Sequence, residues 1–67
     1  MAKSYTIELE QEINDTNLGI TISGVKKVRT HYNPKTKYLR LNYTTFSGSK
    51  IEVEYVNIIR VKKTKHK

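Results

Sequence analysis

Lys27, Arg29 and His31 occupy alternate positions, and so do Tyr38 and Arg40 a few residues later. In an extended chain alternate residues share a face, so each set presents its side chains on one surface. Their chemistry suits a polyanion: ammonium and guanidinium groups for phosphate oxygens, and a tyrosine ring on which a base can stack. Lys26, Lys35 and Lys37 flank this set, and Lys62, Lys63, Lys65 and Lys67 add cations near the chain's end. The ordinary alternative is a solvated strand face whose Lys and Arg residues keep the surface hydrophilic.

Catalytic chemistry finds no comparable residues. Of the two histidines, His31 has no ligand or carboxylate at useful spacing, and His66 falls in the terminal basic run. Glu8, Glu10 and Glu12 line one strand face and do not converge. Gly19, Gly24 and Gly48 form neither a phosphate loop nor a dinucleotide fingerprint. No nucleophile has an evident base and orienting group. We expect no enzymatic activity, no metal site and no cofactor.

The charge is divided along the chain. Residues 1–24 carry one basic and four acidic residues, whereas residues 25–67 carry twelve basic and two acidic ones, within a net charge of +7. A surface this basic attracts phosphate-rich or acidic partners over roughly a Debye length. The absence of Cys excludes a disulfide framework and a thiolate zinc site. The first residues lack the apolar core of a secretion signal, and no stretch nears the roughly 18 apolar residues of a membrane span. The expectation is a cytoplasmic protein with no membrane partner.

The elements that position these residues are strands. Apolar residues alternate with polar ones and are mostly β-branched or aromatic. Tyr5, Ile7, Leu9 and Ile13 share one face, and Thr6, Glu8, Glu10 and Glu12 the other. A turn cluster at residues 14–17 leads to Leu18, Ile20 and Ile22, and Gly24 breaks that run. Val25 and Val28 fall out of phase, which predicts a bulge near Lys26–Lys27. Asn33-Pro34 opens a type I turn. With that turn ending at Thr36, Tyr32 pairs with Lys37, His31 with Tyr38 and Arg29 with Arg40.

Two constraints fix the next hairpin independently. Inward placement of Leu39, Leu41, Tyr43, Ile51, Val53 and Tyr55 sets Leu39 opposite Tyr55, Leu41 opposite Val53 and Tyr43 opposite Ile51. That register centres the loop on Ser47 and makes it Phe46-Ser47-Gly48, with glycine where three-residue loops need a left-handed residue. Arg40 then faces Glu54, Asn42 faces Glu52 and Thr44 faces Lys50. A tight turn at Val56-Asn57 starts a short final strand with Ile59 and Val61 inward. Pairing that strand with the first brings Arg60 and Lys62 near Glu8 and Glu10.

These elements describe one all-β domain over residues 1–62, with residues 63–67 as a flexible basic tail. The architecture is a small antiparallel barrel of five or six strands, SH3-like or Sm-like in strand count and turn spacing, or else a strongly curved sheet; no substantial helix fits. Tyr5, Tyr43 and Tyr55 are core residues. Phe46, at a loop tip, either folds back onto the sheet, the arrangement we favour, or anchors a partner; Tyr32 is the other candidate partner contact. The leading functional expectation is a DNA- or RNA-binding protein that grips the phosphate backbone with modest sequence preference. The alternative is a non-catalytic interaction module, such as a virus- or mobile-element-encoded accessory or inhibitor, docking on an acidic protein. Either could act as a homodimer.

Overall fold

The Asn14-Asp15 turn starts the fold. Both residues take left-handed backbone, at φ 50° and 62°. That is the requirement of a two-residue type I′ hairpin, whose twist matches that of the flanking strands. It joins β1 (Ser4–Ile13) to β2 (Thr16–Asn33), with Ile13 opposite Thr16. In the computed structural model, which describes residues 3–66, three strands follow: β3 (Tyr38–Thr45), β4 (Lys50–Tyr55) and β5 (Ile58–His66). All pairings are antiparallel, and the single sheet runs β4-β3-β2-β1-β5.

β2 is one strand of 18 residues, not two segments. Gly24 does not end it but bends it: at φ 67° it lies in a bulge where pairing passes from Ile7–Ile22 to Tyr5–Val25. The bulge expected near Lys26–Lys27 is present, between Val25–Thr45 and Lys27–Thr44. These irregularities let the first half of β2 pair with β1 and the second half with β3.

The same curvature explains the link from β4 to β5. In a flat sheet the two edge strands would lie about 19 Å apart. Val56 and Asn57 alone connect them, and a link that short spans at most about 11 Å. The sheet must therefore curl. Asn57, left-handed at φ 58°, accepts a hydrogen bond from the Glu12 N–H, and Ile58 N–H donates to the Lys37 carbonyl, both at 2.9 Å. No β4–β5 ladder forms among the described residues, so the curl stops short of a closed barrel. Of the two expected architectures, the strongly curved sheet is the one adopted.

The curl encloses Ile7, Leu9, Val25, Leu39, Leu41 and Ile58, all almost fully buried. Tyr5, Tyr32, Tyr43 and Tyr55 pack around them. The β3–β4 register is the expected one at every pair, from Leu39–Tyr55 to Thr44–Lys50. Its loop is closed by Gly48 N–H donating to the Thr45 carbonyl at 3.0 Å, with Gly48 at φ 92°.

Three expectations need correction. The residues taken as a tail, 63–66, continue β5 and pair with Ser4–Ile7; Lys67 lies outside the described residues. The last buried side chain is Ile58, because a shift between Glu10 and Gln11 displaces Ile59, which is only half-buried. The β2–β3 register also slides by two residues: Asn33 pairs with Tyr38, Tyr32 with Leu39, His31 with Arg40 and Arg29 with Asn42. The cause is Lys37, which takes φ 60° and joins the turn, its N–H donating to the Asn33 carbonyl at 2.7 Å. Asn33 Oδ1 caps the turn by accepting the Lys35 N–H at 2.9 Å.

Candidate nucleic-acid interface

A slide of two residues preserves which face each side chain takes but changes its neighbours. On the outer face of β2, β3 and β4 the successive rows are Lys27–Thr44–Lys50, Arg29–Asn42–Glu52 and His31–Arg40–Glu54. The first two rows, with Lys26 from the bulge, line a shallow, open depression of about 500 Å³. Four cations, Lys26, Lys27, Arg29 and Lys50, border it against one carboxylate, Glu52. Asn42 and Thr44 supply neutral polar groups on its floor.

No ion pair engages these four cations among the described residues; the pairs formed lie elsewhere. Arg40 Nε stands 3.7 Å from Glu54 Oε1, and Arg60 Nη1 3.5 Å from Glu10 Oε1. Both pairs are solvent-exposed and so contribute little to stability. Arg29 lies beside Asn42 and not Arg40, which removes the like-charge contact expected from sequence.

A second depression, of about 560 Å³, is lined by Thr30, His31, Tyr32 and Asn33 of β2 and by Tyr38 and Arg40 of β3. Tyr38 is half-buried. Hydrogen bonding to the Glu54 carboxylate, with some desolvation, raises its hydroxyl above the ordinary tyrosine value, against a smaller lowering by Arg40. The phenol thus stays protonated. Lys35 and Lys37 sit on the adjoining turn with exposed side chains.

The remaining cations are not part of this face. Lys62 lies opposite Glu8 on β5, at the other end of the sheet order. Lys63 Nζ sits 5.9 Å from the centre of the Tyr5 ring, a cation–π distance. Lys65 is opposite Tyr5, and Lys67 falls outside the described residues. Tyr32 is not a free contact either: its ring packs on the core and its hydroxyl donates to the Ile58 carbonyl. Phe46 is 48% exposed, so it has not folded back onto the sheet.

Lys50 is the residue that sequence reasoning missed. The β3–β4 register already placed it opposite Thr44; only the two-residue error across β2–β3 kept Lys27 from appearing in the same row. Among the described residues no cluster of His, Asp or Glu could hold a metal ion, and no helix is long and apolar enough to cross a membrane. The chain matches no protein-family model, no curated protein and no solved structure.

Proposed function

We propose that this is a small nucleic-acid-binding protein that holds a phosphate backbone, with modest sequence preference, in the depression between Lys26, Lys27, Arg29 and Lys50. The supporting observation is a cluster of four cations, three from β2 and one from β4 on either side of β3, with no ion-pair partner among the described residues. Leaving them unneutralised on one small surface builds a local positive potential, which phosphate oxygens answer. Asn42 and Thr44 add donors that position a backbone without reading its sequence. Among the described residues there is no helix to enter a major groove, and contacts made mainly to phosphates carry little sequence information. We place the protein in the cytoplasm, as a non-enzymatic binder.

The test is a salt titration of the whole chain against labelled oligonucleotides. Four phosphate contacts predict log K falling with log salt at a slope of about −2.8 on a single strand, or about −3.6 on a duplex. The variant K27Q/R29Q/K50Q keeps one of the four cations, and its slope should flatten to about −0.7 to −0.9. Absence of binding near 50 mM salt, or an unchanged slope in the variant, refutes the proposal.

A second reading, docking on an acidic protein, is favoured by one observation: Phe46 stands half-exposed on the turn that leads into Lys50. Phe is among the residues enriched at protein interfaces. Under that reading Phe46→Ser abolishes binding, whereas oligonucleotide binding by phosphate contacts survives it.

A further inference from the structure

Resting on the phosphate-binding reading above, we propose that the nucleic acid taken is single-stranded, with an unpaired base stacked on Tyr38. The two depressions adjoin along the β2–β3 ladder. The row Arg29–Asn42 borders the first, and the next row, His31–Arg40, borders the second. Successive outward rows are separated by two strand residues, roughly 6.6 Å.

The chemistry changes between them. The first holds cations. The second holds the Tyr38 ring, the His31 imidazole and the Asn33 carboxamide, with Arg40 held near Glu54 at 3.7 Å. Asn33 Oδ1 already accepts the Lys35 and Thr36 N–H groups, so the NH₂ group is the part of that side chain left for a ligand. A phosphate site followed by a ring and an amide donor matches the order of groups along one strand: backbone, then a base with an exposed face and edge.

A duplex cannot use this second depression. Its bases are stacked on one another, so none has a free face to lay on the Tyr38 ring. Duplex binding would engage the cations and leave Tyr38 idle. A single strand offers both groups at once. From Lys27 to Asn33 the platform runs about 20 Å, which places it near the short end of the roughly 4–16 nucleotides that a small β fold covers.

The experiment titrates the full chain with a labelled oligothymidylate of about twelve nucleotides, its RNA counterpart, and a duplex of the same length, at low salt. The single strands should bind at least about tenfold more tightly than the duplex, and should quench tyrosine emission, which five Tyr and no Trp make readable. Tyr38→Leu should weaken single-strand binding by between about fivefold and a hundredfold and leave duplex binding unchanged, while Tyr38→Phe keeps the preference. Duplex binding as tight as single-strand binding overturns the inference and leaves the phosphate reading standing. So does a Tyr38→Leu loss shared equally by both forms, or no loss at all. If no oligonucleotide binds, both readings fail. The strand comparison and the quenching use the unmodified chain, so they decide the matter even if the leucine variant does not fold.

Discussion

Changing Gly24 to alanine tests whether the bend in β2 is written into one backbone angle. Gly24 sits at φ 67°, and a Cβ built there meets nothing within 4 Å. Crowding therefore contributes nothing, and the whole effect is conformational. The left-handed region costs a residue with a Cβ roughly 1–2 kcal/mol. Alanine offsets about 0.4–1 kcal/mol of this by narrowing the unfolded ensemble. The net effect is a loss of about 1 kcal/mol, or roughly 4–8 °C in Tm for a domain of this size. Gly19 supplies the control, because a Cβ there also meets open space and its φ is not left-handed. Gly19→Ala should raise stability by about 0.5–1 kcal/mol, since glycine in a strand interior is entropically unfavourable. The same substitution, five residues apart on one strand, should thus move Tm in opposite directions. Far-UV circular dichroism melts would read both. A Gly24→Ala protein that melts at or above the parent refutes the reasoning, and so does a Gly19→Ala protein that melts below it.

Leu41→Ala removes a fully buried side chain at the centre of β3 and should cost about 2–5 kcal/mol, much of the stability of a small domain; urea denaturation measures it. The raised Tyr38 pKa means that the folded state favours the neutral phenol, so its contribution holds below the unfolded value of 10.0 and is lost as pH rises through the higher folded value. Glu54→Gln should bring the Tyr38 titration down, as read by ultraviolet absorbance between the parent and the variant. Substituting Glu8 and Glu10 by Gln raises the net charge but frees only Arg60 from an ion pair and removes the acid opposite Lys62, on a different part of the sheet. Oligonucleotide affinity at 150 mM salt, where screening acts within about 8 Å, should stay within about twofold of the parent. A gain equal to that from adding a cation beside Arg29 would contradict this placement.

The β3–β4 hairpin was readable because two unrelated signals agreed. The apolar alternation admitted one register, and Gly48 independently marked the left-handed place in the loop that this register required. The bulge at Lys26–Lys27 was readable for a similar reason, since two valines out of phase cannot both face the core of an unbroken strand. The β2–β3 turn offered a single signal. Asn33-Pro34 does begin the turn, but nothing about a lysine marks it for left-handed backbone, where Asn, Asp and Gly are the usual occupants. Lys37 takes that conformation because its own carbonyl is then held by the Ile58 N–H, a contact 21 residues away in the chain. Tertiary structure chose the turn length, and local preference could not reveal it.

The final strand and its pairing with β1 were expected, but its continuation through residues 63–66 was missed for a related reason. Lys63, Lys65 and His66 show no apolar alternation, because their contribution to β5 is backbone pairing with Ser4–Ile7 and not burial. That pairing decides where the unmatched charge lies. β1 lies between β2 and β5, so Glu8 and Glu10 meet Lys62 and Arg60 across one ladder, while the β2 residues opposite them are Thr21 and Gly19. Two of the four acids of the first half, Glu8 and Glu10, are thereby held against β5. Had β1 paired with the second half of β2, the same acids would have neutralised Lys27 and Arg29, and the depression would be an ordinary salt-bridged surface. The Asn14-Asp15 turn prevents this: its register sets Glu8 opposite Thr21 and Glu10 opposite Gly19, which leaves Lys27 and Arg29 to pair with β3. Position on the chain separates the charges, but the fold keeps them from recombining, and the four cations around the depression lack ion-pair partners among the described residues only because of the second step.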